Sequence, residues 1–259
     1  MRLVVWGAGE LGTRVLARWV AAGHDAIGYT RTDKRHDLVR ATGATARKGS
    51  PGKQLRDDDI LLLAISGSAN QFEALASLER ECPRAAVLIS SVGFYGNPHG
   101  VTNEQTPAGD SPHATRIAKT ESAFAHWAQE RGTILRLGGL YRPGRGPMSA
   151  LCRRGAPPPG PPDRTLALIH YEDAANAALA AVQSAPPERL YVGVTTPCPT
   201  REEFYRTACE RAGLPAPNFT ERFDKPLAEY DVTLLRRDLL PAPAFPNWHS
   251  ATDLPEGDT

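Results

Sequence analysis

Three glycines in Gly7-Ala8-Gly9-Glu10-Leu11-Gly12 have the spacing of a loop that takes phosphate. The apolar run Leu3–Trp6 precedes them, and Leu11, Val15, Leu16, Trp19 and Val20 follow at helical spacing. In such a strand–loop–helix unit the first glycine permits the tight turn out of the strand. The second lets the backbone approach a pyrophosphate, and the third lets the helix pack close to the sheet. The helix N-terminus then presents free N–H groups and a positive dipole end. A lone GxGxxG is weak evidence; here the flanking strand and helix supply the context the motif needs. Gly7, Gly9, Glu10, Leu11 and Gly12 are therefore the expected phosphate-binding residues of a dinucleotide site.

The choice of dinucleotide is made at the end of the second strand. NAD binders place a carboxylate there to hold the ribose hydroxyls. This chain has Tyr29-Thr30-Arg31-Thr32 instead. A carboxylate would repel a 2′-phosphate, whereas an arginine pairs with it. Thr30, Arg31 and Arg35 therefore favour NADP over NAD. The plainer alternative is a solvated basic turn, with Asp33 reaching a ribose.

These residues need a scaffold, and the hydrophobic pattern supplies one. Ala26–Thr30, Ile60–Ile65, Ala86–Ser91 and Thr133–Leu137 read as buried strands. Phe72, Leu75 and Leu78 mark a helix that stops near Pro83. Residues 114–130 read as a long helix burying Ile117, Phe124, Trp127 and Ala128. Continuous apolar strands separated by amphipathic helices indicate a doubly wound α/β fold, a parallel sheet covered on both faces. Further on, proline makes 155–162 a loop, Asp173–Gln183 is an alanine-rich helix, and Leu190–Val194 is a late strand. Thr200 with Glu203 forms a capping-box pattern for a helix reaching about Ala212.

Composition sets the outer limits. The chain has 259 residues, 41% apolar and 23% charged, which suits one large α/β domain or a cofactor domain with a small appendage. A net charge of +1 gives no general field for nucleic acid or a membrane surface. No basic face with interleaved aromatics is visible, and no run approaches the roughly 18 apolar residues of a membrane span. Cys82, Cys152, Cys198 and Cys209 have no metal-like spacing. We expect reduced thiols, no metal and a cytoplasmic protein. A strand that starts at Leu3 also argues against a cleavable targeting segment.

Three later segments carry a family resemblance. Ile89-Ser90-Ser91-Val92-Gly93-Phe94-Tyr95-Gly96 resembles the "SS-x-x-VYG" strand end of extended short-chain dehydrogenases/reductases, the family of nucleotide-sugar epimerases. Thr133–Pro147 is similar to that family's "LR-x-x-x-x-YGPG" segment, and Ile169–Asp173 to its "IHVDD" segment. The resemblance implies a doubly wound parallel Rossmann sheet formed by residues 1–140 and about 168–195. A smaller, mostly C-terminal substrate region would use about 141–167 and 196–259. The crevice at the carboxyl ends of the strands would then bring Ala64, Ile65, Ser66, Ser90, Leu137 and Gly138 to the cofactor. Ser91 would take the place of the catalytic Ser/Thr.

The family's proton chemistry also needs Tyr-x-x-x-Lys on the long helix, and here the match fails. Alignment of Ser111-Pro112-His113 through Glu121 puts His113 on the tyrosine and Ile117 on the lysine. Lys119 comes two positions later, about 200° around the helix. The acidic pair of the family's dehydratases is absent at Val92 and Gly93, which argues against a sugar 4,6-dehydratase. The combination resembles an atypical subgroup, often labelled epimerases, that keeps the glycine loop and loses the tyrosine. Histidine is a side chain suited to proton transfer near neutral pH, so His113 could replace a phenol as proton donor; otherwise it is a polar residue at a helix start. Ser91 could equally be a strand-end serine satisfied by backbone. Arg116 could hold an anion, and His170 reads as structural more than catalytic. Arg142, Arg145, Arg153, Arg154 and Arg164 could clamp a phosphate or carboxylate on a substrate, or be a solvated loop.

Two functions follow. One is an NADP-dependent oxidoreductase or epimerase acting on a small carbonyl, polyol or nucleotide-sugar-like substrate. The other is a catalytically degenerate module that binds or senses NADP(H). The expected partner is a small-molecule substrate, with a homodimer left open.

Overall fold

A computed structural model describes residues 1–78, 83–154, 161–215, 217–219 and 226–249, apart from the side chains of 152–154. The strands are β1 (Arg2–Trp6), β2 (Ala26–Thr30), β3 (Thr45–Lys48), β4 (Asp59–Leu63), β5 (Ala85–Ser91), β6 (Gly100–Thr102), β7 (Gly132–Leu137), β8 (Gly139–Tyr141), β9 (Leu168–His170), β10 (Leu190–Gly193) and β11 (Ala228–Tyr230). The helices are α1 (Glu10–Ala21), α2 (His36–Arg40), α3 (Ser68–Ala76), α4 (Pro112–Ala128), α5 (Pro147–Arg154), α6 (Tyr171–Gln183), α7 (Arg201–Arg211) and α8 (Thr233–Asp238).

Seven strands form one sheet in the order β3-β2-β1-β4-β5-β7-β10, every pairing parallel. Val4 lies opposite both Ile27 and Leu61, and Leu88 opposite both Leu63 and Ile134, so aliphatic rows run across the sheet. Alternate side chains face opposite ways. Leu3, Val5, Leu62 and Val87 pack with Val15, Leu16 and Trp19 of α1 and the alanines of α6. Val4, Trp6, Leu61 and Leu63 pack with Leu75 of α3 and with Phe124 and Ala128 of α4. The doubly wound parallel sheet is thus covered on both faces. Each fully buried leucine contributes about 1.5–3 kcal/mol, which explains why such runs occupy the central strands.

Chain order reverses at β1. The strands grow outward to β3, then return to β4 on the other side of β1. A crevice opens at the carboxyl ends where the order reverses. α1 and α6 pack closely, helped by the small side chains Ala174, Ala177, Ala178 and Ala181, all buried.

Two expectations for core residues need correction. Phe72 is 46% exposed, because α3 buries Gln71, Ala74 and Leu75, with Leu78 beyond its end, and leaves Phe72 on the outer face. Trp127 is half-buried, since α4 buries Ile117, Thr120, Glu121, Phe124 and Ala128 instead. The strand expected to reach Ile65 ends at Leu63. Most of the expected 155–162 loop lies outside the described residues. Beside the main sheet, β8 pairs with β9 and β6 with β11. Tyr141, Met148, Leu151, Leu168, Phe204 and Tyr205 form a separate cluster between α5 and α7. α7 opens on the expected capping box of Thr200 and Glu203. Among the described residues, no helix is long and apolar enough to cross a membrane.

Candidate functional site

The glycine loop joins β1 to α1, and its three glycines answer different demands. Gly7 has φ +99°, and a Cβ there would fall 2.5 Å from the backbone of Ala64 and Ile65. A Cβ on Gly12 would meet Val5 Cγ1 at 2.7 Å and the Gly7 carbonyl at 2.8 Å. A Cβ on Gly9 would meet nothing nearer than 3.8 Å. The protein's own packing therefore requires glycine at 7 and 12, while the space beside Gly9 stays open. The first helical bond of α1 runs from Thr13 N to Gly9 O. The N–H groups of Glu10, Leu11 and Gly12 thus have no intrahelical acceptor, and no side chain caps them.

The crevice has two lobes that meet at Gly7, Gly9 and Ala64–Ser66. The larger, about 700 Å³, extends past Thr30, Arg31 and Arg35. The smaller, about 340 Å³, extends past Glu10, Leu11 and Gly12 to Ser90, Ser91, His113, Leu137 and Gly138. Every residue expected from the sequence at a cofactor or catalytic position borders one lobe or both. Both volumes fall in or near the range of small-molecule sites, about 300–1,000 Å³.

At the far end of the larger lobe, Arg31 is exposed and makes no ion pair among the described residues. Arg35 has a buried Nε without a hydrogen-bond partner. Thr30 directs its hydroxyl to the Thr32 carbonyl at 2.9 Å. Asp33, the alternative ribose ligand, does not border the lobe; it sits 3.6 Å from Lys48 and 3.7 Å from His36.

In the smaller lobe, Ser91 caps the short turn Val92–Tyr95, its Oγ accepting from Gly93 N at 3.1 Å. That bond uses a lone pair and leaves the hydroxyl proton available. His113 stands in the first turn of α4, whose N-cap Ser111 accepts from Ala114 N at 3.1 Å. Ile117 follows one turn later and also borders the lobe, whereas Lys119 is exposed outside it. Ser90 differs from its sequence-based role. It borders the lobe, but its hydroxyl donates to Glu121 Oε1 at 2.5 Å. Glu121 in turn accepts from Arg136 Nε at 3.1 Å and from another guanidinium nitrogen at 2.7 Å. Arg136 donates to the Tyr95 hydroxyl at 3.0 Å and lies 3.3 Å from the Phe94 ring centroid. Tyr95 donates to the Asn103 carbonyl at 2.8 Å, and burial raises its pKa. This network pins the end of β5 to α4 and β7, and it occupies the nearby phenol.

The five arginines around the proline loop do not form one cluster. Arg142 and Arg145 both pair with Glu10, Arg145 at 3.1 Å. Arg164 donates to the Gly96 carbonyl at 2.8 Å, away from the crevice. The side chains of Arg153 and Arg154 lie outside the described residues. His170 is structural: its Nδ1 accepts from Glu172 N at 3.2 Å at the start of α6, and Phe245 stacks on it with centroids 3.6 Å apart. It does not border the crevice. Among the crevice residues that the sequence did not single out are Gln71 and Tyr171. Gln71 ties the ends of β4 and β5 by donating to the Ile65 and Ile89 carbonyls, each at 2.8 Å. Tyr171 reaches the crevice only because α6 packs on α1, and no local pattern announces that.

No family model matches the chain, and no curated protein matches it. Solved structures do. A functionally unknown conserved protein from Silicibacter pomeroyi is 22% identical with a TM-score of 0.78, covering 96% of each chain. UDP-glucuronic acid 4-epimerase from Bacillus cereus, solved with NAD, is 15% identical with a TM-score of 0.75 over 94% of each chain. UDP-glucose 4-epimerase from Thermotoga maritima, solved with UDP-glucose, is 17% identical with a TM-score of 0.70 over 92% of each chain. At these identities the shared property is the fold.

Proposed function

We propose that this chain binds a nicotinamide dinucleotide along the two-lobed crevice, NADP in preference to NAD. We further propose that it acts as an oxidoreductase or epimerase on a small carbonyl, polyol or nucleotide-sugar-like substrate. One observation carries the reading. Glu10, Leu11 and Gly12, whose N–H groups have no intrahelical acceptor and no side-chain cap, border the smaller lobe next to Gly9, where an added Cβ would meet no atom nearer than 3.8 Å. A pyrophosphate suits that donor set. The neighbours solved with NAD and with UDP-glucose support the same class of ligand.

Gly7, Gly9, Leu11 and Gly12 would hold the pyrophosphate through backbone. Arg31 and Arg35 would meet a 2′-phosphate, for which their unpaired guanidinium nitrogens are suited. When bound, the nicotinamide supplies hydride exchange with a carbinol or carbonyl carbon. Ser91 would hydrogen-bond the substrate oxygen through its hydroxyl and so polarise the carbonyl, and the His113 imidazole would give or take the one proton that accompanies the hydride. Ala64, Ile65, Leu137 and Gly138 line the smaller lobe and would help keep water from the reacting carbon.

NADPH and NADH titrations of the wild type and Arg31→Ala test the cofactor assignment. Loss of one charge-assisted contact should weaken NADPH about tenfold and leave NADH nearly unchanged. An unchanged preference for NADPH would remove Arg31 from the site. Turnover is tested by NADPH oxidation across a panel of carbonyl compounds; tight binding without oxidation of NADPH by any of them would defeat the enzyme assignment.

A further inference from the structure

Beside the smaller lobe, four guanidinium groups share two carboxylates. Arg14 bridges Glu10 at 3.0 Å and Glu172 at 2.8 Å, Arg18 joins Glu172, and Arg142 and Arg145 join Glu10. The group therefore carries surplus positive charge. Its carboxylates Glu10 and Glu172 stand in the first turns of α1 and α6, so two helix dipoles add positive potential there.

The outer two arginines are held by a built device. Arg142 N donates to Arg145 O at 2.8 Å, and Arg145 N returns to Arg142 O at 2.9 Å. Pro143 and Gly144 fill the turn between them, and Gly144 takes φ +72°, the left-handed value such a turn needs at that position. The turn brings both side chains to Glu10 of the glycine loop, with Arg145 at the edge of the crevice. Arg145 borders the smaller lobe, not the larger, and its side chain is 53% exposed. Among the described residues its one ion pair is a single 3.1 Å contact, which engages one of its five donors. Tyr171 borders the same lobe with no hydrogen bond to its hydroxyl among the described residues, and its ring centroid lies 5.5 Å from the Arg145 guanidinium carbon.

We propose that the Arg142–Arg145 turn, with Tyr171, is a subsite for an anionic group on the substrate, and that Glu10 is its resident counter-ion. The substrate class then narrows to carbonyl or polyol compounds bearing a carboxylate or a phosphate. Glu10 satisfies the arginines while the subsite is empty. An arriving anion takes the Arg145 guanidinium in a bidentate contact that Glu10 does not make. The proposal rests on the dinucleotide reading above, because the cofactor is taken to fill the glycine-loop side of the lobe.

The test is isothermal titration of the NADPH-saturated chain with inorganic phosphate, with malonate, and with glycerol as a neutral control. At least one anion should bind and glycerol should not; the anion that binds more tightly names the substrate's charged group. Arg145→Gln should weaken that binding about tenfold, and Glu10→Gln should strengthen it, because the competing charge is gone. Failure of both anions to bind, or equal affinity in Arg145→Gln, overturns the subsite. So does anion binding that occurs only without NADPH, since the turn would then serve the cofactor's own phosphates. If NADPH itself fails to bind, the dinucleotide reading falls separately. The same variants titrated without cofactor then judge the turn, and an unchanged affinity in Arg145→Gln rejects it.

Discussion

A Cβ on Gly93 would stand 2.9 Å from Nε2 of His113 and 3.2 Å from its Cδ2. The ring of the candidate proton donor therefore rests directly over a residue with no side chain. The other close neighbour is Ile117 Cδ1 at 3.2 Å, and both contacts are far ends of side chains rather than backbone, so Gly93→Ala should fold.

In that variant the imidazole would be displaced. Turnover should fall at least tenfold while NADPH affinity stays within twofold of wild type. His113→Gln should cost about 10²–10⁴ in turnover, the usual worth of a positioned proton donor. Steady-state kinetics and a cofactor titration on both variants check this. Full turnover in His113→Gln would transfer the proton role to water or another group.

The three loop glycines should separate fold from ligand. Gly12→Ala drives a methyl into Val5 Cγ1 and the Gly7 carbonyl at 2.7 and 2.8 Å, and overpacking of this kind costs about 1–3 kcal/mol. Gly9→Ala meets no protein atom within 3.4 Å and keeps an extended backbone. It should melt close to wild type yet lose NADPH affinity by tenfold or more. Calorimetry and cofactor titration side by side make the comparison. If Gly9→Ala binds NADPH as wild type does, the pyrophosphate is not at that point.

The buried pair of Glu121 and Arg136, each side chain only 6% exposed, should be costly to break singly. Arg136→Met leaves a carboxylate buried against Ser90 alone, and about 3–5 kcal/mol of stability should be lost. Glu121→Leu strands the guanidinium to a similar extent. The double variant should lose clearly less than the sum, since no unpaired charge remains. Urea unfolding of the four proteins gives the coupling.

Much of this was legible beforehand, for physical reasons. β1, β2, β4, β5 and β7 are largely buried on both faces, so they read as mostly apolar runs, interrupted by Gly28 in β2 and Arg136 in β7. β3 was not found because it is an edge strand of mostly exposed residues, Thr45-Ala46-Arg47-Lys48. β6, β8, β9 and β11 span three residues each, too short for a period to appear. The crevice was legible because glycine spacing and strand ends locate it. The pairing of Glu10 with Arg142 was not, since 132 residues separate them and only the fold joins them. Phe72 misled because an apolar residue at helical spacing can face outward when a polar neighbour, here Gln71, is needed inside.

His170 should make stability depend on pH in a defined window. Burial is the main cause that lowers its pKa below the ordinary 6.5, with Arg14 adding to it, while Asp173 and Glu172 oppose it. The unfolded chain therefore takes up a proton at a higher pH than the folded one does. The contribution of neutral His170 is fully present above pH about 6.5 and is lost as pH falls from there through the folded pKa. The slope cannot exceed about 1.4 kcal/mol per pH unit for one proton. His170→Asn keeps a good cap for α6, where Nδ1 now accepts from Glu172 N, but carries no titrating ring. Its stability should vary less between pH 7 and pH 5 than that of wild type. His170→Ala should also lose about 1 kcal/mol at every pH, because the cap is gone. Urea unfolding at half-unit pH steps distinguishes the two effects. The other histidines are common to all three proteins, so they cancel in the difference. A wild type and His170→Asn that decline in parallel would show that the ring takes up its proton at the same pH in the folded and unfolded chain, so that burial against Phe245 does not hold it neutral.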